Sequence, residues 1–329
     1  MSNLKIIAEL CQNHMGEISI VDEMVHAAKE SGADFAKIQS MRSKDLVHRA
    51  RFDTGIIEGG SVNVIKRPFS KEYTRLKNLD LTEEEHFKFI EICKKYKIEP
   101  MSTIFSRNRI KLFKKLNFKR IKISSFDCSS HQMIREIREN LKSDLIVSTG
   151  ATYDYEIEKT AKILGRNKFT ILHCISNYPT TPDVAFLSRI KYLKKFSNKV
   201  GFSDHSNPEI YKNDLALISI GEGAQLIERH FTILGKDKTK DGPVSVNPKQ
   251  LKSLCELKKI SNKDIKLIIK KKFSKNKLFK ILGRYKREFS KTEILNRDYY
   301  RGRFASKSKN SKIVFNWDEN FKLRDIKQV

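Results

Sequence analysis

The chain has 329 residues, 39% of them hydrophobic, enough for one large domain with a small one or for two ordinary domains. Its formal net charge of +27 is concentrated in residues 258–329, where 23 Lys/Arg face 7 Asp/Glu; without regular aromatic interleaving this favours a lysine-biased solvated surface over a nucleic-acid partner. No apolar run nears the roughly 18–20 residues of a membrane span, and five widely spaced cysteines without a CxxC argue against a disulfide framework or a thiolate zinc site and for a reducing cytoplasm.

In chain order, MSNLKIIAEL has Glu9 inside its apolar run and no small-residue cleavage site, so KIIAEL (5–10) reads as a first strand rather than a signal peptide. VDEMVHAAKESG follows, with Val21, Met24, Val25 and Ala28 on one helical face. FAKIQ (35–39) is the second strand. Residues 42–80, containing GIIEGGSVNV, are long for a connection and suit a lid or subunit contact. LTEEEHFKFIEICKKY then opens on a capping box of Thr82 and Glu85. The remaining strand-plus-helix pairs are EPMSTI with RNRIKLFKKLN, RIKISS with SHQMIREIREN, DLIVSTG with TYDYEIEKTAKIL, FTILHCI with VAFLSRIKYLKKF, KVGFS with DLALISIG, and AQLIERHFT with PKQLKSLCELKK. Eight such units predict an α/β fold, a closed (β/α)8 TIM barrel over residues 1–261. A doubly wound sheet is the alternative, but no GxGxxG follows the first strand. Residues 262–296 read as a basic linker and 297–329 as a short β-rich segment.

Catalytic groups of such barrels collect at the C-terminal ends of the strands, and polar residues are concentrated there. They are Glu9; Lys37 and Gln39; Ser102 and Thr103; Lys122, Ser124 and Ser125; Ser148 and Thr149; His173 and Ser176; Asp204 and His205; Glu228 and His230. His205 and His230, on adjacent strands, offer two neutral nitrogens to one divalent cation, against the alternative of two structural histidines. Lys37 and Lys122 lie in otherwise apolar strands, where an unpaired ammonium is expensive. They are expected to clamp a phosphate or carboxylate, or one of them to form a Schiff base. GFSDHS (201–206) alone also fits a capped turn. Asp204 is expected to orient the His205 imidazole or a bound water, and Ser203 and Ser206 to cap the turn.

AELCQNHMG, ESGADFAKIQS, KISSFDCSS, VSTGATYDYEI, LHCISNYPT, GFSDHS and IERHFTI occur in this order at barrel spacing. Together they resemble the N-acetylneuraminate (sialic acid) synthase family, which includes legionaminic and pseudaminic acid synthases. The resemblance covers about residues 4–260. It implies that phosphoenolpyruvate condenses with the open-chain aldehyde of an N-acylated hexosamine, similar to N-acetylmannosamine, giving a nonulosonic acid and phosphate. It further implies a divalent metal, Mn2+ or Mg2+, on His205 and His230. Lys37 and Lys122, with the hydroxyls of Thr103, Ser125, Ser148 and Ser176, would surround phosphoenolpyruvate. Glu9 would be general acid/base, Gln39 a polar positioner, and Asp127 and Tyr178 sugar contacts.

Three departures stand on the sugar side. Asp127 replaces the family's Glu, Phe126 replaces a small Gly, and KDGPVSVNP lacks the acid after GP, leaving Asp241 before it as the substitute. Family members commonly end in an antifreeze-like (SAF) β-domain that caps the partner's barrel in a dimer. Residues 303–324 resemble its beginning, Arg324 in KLRD matches its sugar-contacting arginine, and the SAF-like segment is expected to be partial. The implied protein is a cytoplasmic homodimeric transferase with no membrane or nucleic-acid partner. The alternatives are a Schiff-base barrel aldolase and a non-catalytic basic protein associated with nucleic acid or an assembly.

Overall fold

All eight predicted barrel strands form, each parallel to its neighbour, and the last closes on the first. They are β1 (Lys5–Cys11), β2 (Phe35–Ser40), β3 (Glu99–Ile104), β4 (Arg120–Ile123), β5 (Asp144–Ser148), β6 (Phe169–Cys174), β7 (Lys199–Asp204) and β8 (Leu226–His230). Helices between them cover the outside, so the architecture is a (β/α)8 barrel. This computed structural model describes residues 4–328; residues 1–3 and 329, inside the first and last predicted segments, lie outside the described residues.

The two-residue period of a strand explains how the barrel is filled. Ile7, Phe35, Met101, Ile146, Leu172 and Leu226 point inward and form an apolar cluster separate from the core between wall and helices. Two residues further along the same strands stand Glu9, Lys37, Thr103, Ser148, Cys174 and Glu228. Strand β7 adds no side chain to the apolar layer. A Cβ on Gly201 would run into the Leu226 carbonyl and the Leu172 side chain, and Ser203 follows one layer up. One apolar plug therefore supports one polar layer, facing the C-terminal ends of the strands.

The outer helices follow the expected signals. Val21, Met24, Val25 and Ala28 are all buried in the helix Ile18–Glu30. Thr82 Oγ1 accepts from the Glu85 amide at 3.2 Å while Glu85 Oε2 accepts from the Thr82 amide at 2.7 Å. Residues 42–80 carry a small hairpin and the helix Phe69–Lys77.

The stretch expected as a basic linker carries three helices, Asn262–Lys272, Lys275–Leu282 and Lys291–Tyr300. Ser261, Ser274 and Ser290 cap their N-termini, each accepting a backbone N–H. The first helix buries Ile265 and Ile269, the latter against Gly221 of the wall helix Asp214–Gly221. The third crosses the barrel mouth, where Asn296 Nδ2 donates to the Ser176 carbonyl at 2.8 Å and Arg297 pairs with Glu156 at 2.6 Å. The Arg49 guanidinium closes its C-terminal end, donating to the carbonyls of Asp298, Tyr299 and Arg301. After it come β9 (Ala305–Lys307) and β10 (Ile313–Phe315), paired antiparallel. Fully buried Arg107 pairs with Glu136 and donates to the carbonyls of Asp318 (2.9 Å) and Phe321 (2.7 Å), fixing this segment to its own barrel.

Candidate active site

The polar layer is the floor of a cavity of roughly 420 Å³ at the C-terminal mouth. Lys37 pairs with Glu9 and, at 3.5 Å, with Glu228, and donates to Thr103 Oγ1 at 3.0 Å. Lys122 reaches both Glu228 oxygens at 2.8 and 3.0 Å, and Ser203 Oγ donates to the same carboxylate at 2.7 Å. Gln39 Nε2 donates to Glu9 Oε1 at 2.9 Å. Burial pulls the Lys37 ammonium down, but Glu228 and Glu9 outweigh it and hold its pKa above the usual value. Burial likewise opposes the Glu228 charge, and Lys122 and Lys37 outweigh it, holding this carboxyl well below its usual range. The floor is thus two ammonium groups and two carboxylates, all nearly inaccessible to water. Within the chain the lysines' counter-charges are Glu9 and Glu228.

Hydroxyls gather beside Lys122. Ser125 Oγ accepts the Gly150 amide at 3.0 Å, and any Cβ on Gly150 would collide with Ser125 and Ser176. Ser148 and Ser176 are buried, and neither hydroxyl has a hydrogen-bond partner among the described residues. Such orphaned groups are uncommon and fit a ligand that accepts several hydrogen bonds.

Above the floor, His205 from the end of β7 and His230 from β8 stand edge to face, ring centroids 5.1 Å apart, with Tyr178 4.2 Å from His205. His205 Nδ1 donates to the Ile175 carbonyl at 3.0 Å, leaving Nε2 with the lone pair. Burial, then His230, lowers the His205 pKa to about 3, so the ring is neutral near pH 7. A neutral, oriented imidazole is what a metal requires. A second donor group adjoins it: Cys11, His230 and Asp241 each place one ligating atom within 4.8 Å of the others. The residues present therefore fit a divalent cation.

Of the predicted site residues, Glu9, Lys37, Gln39, Thr103, Lys122, Ser125, Ser148, Tyr178, His205, His230 and Asp241 line this one cavity. Ser176 lies buried just behind, against Gly150. Asp127 occupies an adjoining recess, its carboxylate accepting from Ser124 (2.9 Å), Ser130 (3.0 Å) and Asn316 (2.9 Å). Burial raises its pKa despite these three bonds. Two residues are not brought to the cavity. Asp204 follows inward Ser203 and so points outward, where it pairs with buried Arg229 at 2.7 Å and accepts the Ser206 amide at 2.9 Å. Its carboxylate is turned to Arg229 rather than to the His205 imidazole or the cavity. Arg324 is exposed on the last turn, Leu323–Asp325, and does not line the cavity of its own chain.

Other groups of the site escaped the sequence reading. Ser203, expected to cap a turn, is a floor residue, and Glu228, noted only as a polar strand end, bridges both lysines. Arg67, Arg75, Lys240, Tyr300 and Arg303 form the upper wall. Arg303 and Arg75 share Glu72. Burial opposes the Glu72 charge, yet these partners hold its carboxyl at about 2. Tyr300 stacks on Phe126, centroids 4.9 Å apart. Six cationic and three acidic side chains face the cavity, so it favours an anionic ligand. A smaller cavity of roughly 280 Å³ opens at the opposite end of the barrel beneath the apolar plug, with no such convergence of groups.

The family model of the NeuB family matches residues 24–267. The chain belongs to the NeuB family. It is 33% identical over 263 residues to the N,N'-diacetyllegionaminic acid synthase of Legionella pneumophila, covering 76% of this chain and 70% of that protein. It is 30% identical to the pseudaminic acid synthase of Helicobacter pylori, covering 77% and 72%. Among solved structures it is similar to the N-acetylneuraminic acid (sialic acid) synthetase of Leptospira borgpetersenii in complex with citrate, with a TM-score of 0.67, 25% identity and 90% of each chain covered. These NeuB relatives are synthases of nonulosonic acids. No helix among the described residues is long and apolar enough to cross a membrane.

Proposed function

We propose that this NeuB protein is a metal-dependent transferase that condenses phosphoenolpyruvate with the open-chain aldehyde of an N-acylated hexosamine, forming a nonulosonic acid and releasing phosphate. The observation that carries the reading is the floor: two buried lysines beside the orphaned hydroxyls of Ser148 and Ser176, under a cavity of net positive lining. Phosphoenolpyruvate is trianionic, and Lys37, Lys122 and these hydroxyls supply cations and donors for its carboxylate and phosphate. Its C3 attacks the aldehyde carbon, water adds to the resulting cationic C2, and the tetrahedral product expels phosphate. Glu9, held by Gln39 and Lys37, would move a proton at the reacting carbons. Glu228 pairs with both lysines and stands between them. A divalent ion on His205 and His230 would polarise the aldehyde oxygen. Tyr178 and Asp127 face the sugar end, where Phe126 and Tyr300 narrow the wall. The proposed assembly is a cytoplasmic homodimer.

A Schiff-base route needs a neutral amine, and the carboxylates around Lys37 oppose one. The test is phosphate release from phosphoenolpyruvate with Mn2+ across a panel of N-acylated hexosamines. Turnover with at least one acceptor, abolished by a chelator, is expected. No release with any acceptor would overturn the reading.

A further inference from the structure

We propose that Cys11 is a thiolate ligand of the divalent cation at this mouth, together with His230 and Asp241, so that the chain takes a thiophilic ion such as Zn2+, Co2+ or Fe2+ in preference to Mg2+. The inference rests on the metal-dependent reading above and adds a thiolate, a carboxylate and an ion class to it.

The geometry is that of a coordination shell. A metal bonded to sulfur at about 2.3 Å and to nitrogen at about 2.0–2.1 Å holds the two atoms about 3.5 Å apart at a tetrahedral angle. Cys11 Sγ and His230 Nδ1 are 3.5 Å apart. A thiol donating to an imidazole has similar spacing, but that bond needs no carboxylate. Here Asp241 supplies one to the same trio, within 4.8 Å of both. His205 faces His230 edge to face, ring centroids 5.1 Å apart, and is not one of the three residues whose ligating atoms lie within 4.8 Å of one another.

The backbone supports the assignment independently. Cys11 ends β1 where the pairing with β2 shifts register after Glu9, and its φ is 41°. A residue with a Cβ in this left-handed region costs about 1–2 kcal/mol, which glycine avoids. The strain carries a fully buried thiol toward His230 and Asp241. Soft sulfur in a mixed S/N/O set favours Zn2+, Co2+ and Fe2+, whereas Mg2+ prefers oxygen ligands. Sequence spacing alone misses such a site, because its three donors lie on β1, on β8 and in the loop after β8.

The experiment uses the full chain, stripped with a chelator and titrated with Co2+ while its absorption spectrum is recorded. A near-ultraviolet sulfur-to-cobalt charge-transfer band is expected with the visible d–d bands. Cys11→Ser and Cys11→Gly should lose that band, keep weaker d–d bands, and bind Co2+ and Zn2+ about 10–100-fold less tightly. Cys11→Gly relieves the left-handed backbone, so its thermal midpoint should not fall and misfolding cannot explain the loss. Cys174→Ser, which removes the thiol 3.7 Å from His205, should keep the band. Wild-type d–d bands without charge transfer would leave the cation on the imidazoles and overturn the Cys11 assignment alone. A band lost in Cys174→Ser but kept in Cys11→Gly would also overturn it. No Co2+ binding at all would overturn both this inference and the metal-dependent reading.

Discussion

The floor and the roof of the cavity are built by different means. The floor is the second inward layer of a closed sheet, where every side chain is aimed by strand pairing and every charge has a partner. The roof is residues 290–328 laid across the mouth, held by side chains that bind backbone carbonyls: Arg49 on the end of the helix Lys291–Tyr300, Arg107 on Asp318 and Phe321, Asn316 on Phe105. A floor fixed by a sheet suits chemistry needing close placement, while the roof, held by hydrogen bonds, the Arg297–Glu156 and Arg303–Glu72 pairs and the packing of Tyr299 and Phe304, shapes the acceptor end. Floor substitutions should therefore act on turnover, and roof substitutions on acceptor binding.

The largest expected effect tests the floor. Lys122→Met leaves Glu228 with Lys37 alone and removes one of the two cations beside the hydroxyls. Phosphate release should fall about 10²–10³-fold in kcat. Breaking this buried pair should also cost about 3 kcal/mol of stability, read by urea denaturation. A variant of ordinary turnover would break the assignment of the floor as the reacting end.

A second contrast is with pH, because buried histidines belong to the barrel and residues 290–328 contain none. Burial holds His86 at about 4 and His173 at about 3. His86 lies between the Thr82 carbonyl and Ser40, while His173 Nε2 donates to the Ala185 carbonyl at 2.7 Å. Above pH 6.5 both are neutral folded or unfolded and add no pH dependence. Between 6.5 and their lowered values the unfolded chain takes up protons that the folded one refuses, so stability falls as pH falls. The loss is up to about 1.4 kcal/mol per pH unit for each ring. Thermal midpoints should drop from pH 6.5 to 4.5, less steeply in His173→Gln. A flat profile there would remove His86 and His173 from the account.

The same division decides what the sequence discloses. Period-two alternation makes the floor legible: Ile7 then Glu9, Phe35 then Lys37, Met101 then Thr103. Motifs at the strand ends carry the rest, and the same alternation turns Asp204 outward and Ser203 inward. The roof gives little periodic signal. Its lysines mask the Ile265–Ile269 spacing and the capping serines at 261, 274 and 290, and contacts to carbonyls leave no mark in side-chain pattern. The KLRD motif points to Arg324, whereas Arg303 reaches the cavity because the Val47 amide bonds its carbonyl at 2.9 Å.

Arg303→Ala tests that upper wall. It leaves Arg75 on Glu72 and removes one of the cavity's cations. An interaction made equally in ground and transition states changes KM alone. About a tenfold rise in KM for an anionic substrate, with kcat within about twofold, is expected from steady-state phosphate release. A fall in kcat with unchanged KM would move Arg303 from binding to catalysis and blur the contrast between roof and floor.

The smallest expected effect lies at the hinge between the two. Asn316 Nδ2 donates to Asp127 Oδ1 and to the Phe105 carbonyl, both at 2.9 Å, while the Asn316 carbonyl accepts the Met133 amide at 3.0 Å. Asn316→Ala removes the two side-chain bonds and leaves the backbone one. Loss of hydrogen bonds to a buried carboxylate costs about 1–3 kcal/mol. Asp127, already raised by burial, should rise further, because Asn316 is among the groups that hold it down. Hydrogen exchange should quicken in residues 305–321 and not in β1–β8, and kcat/KM for the acceptor should fall several-fold while phosphoenolpyruvate binding stays constant. Faster exchange throughout the barrel would mean instead that the roof is part of the barrel's folding unit, and the two regions would no longer be separable.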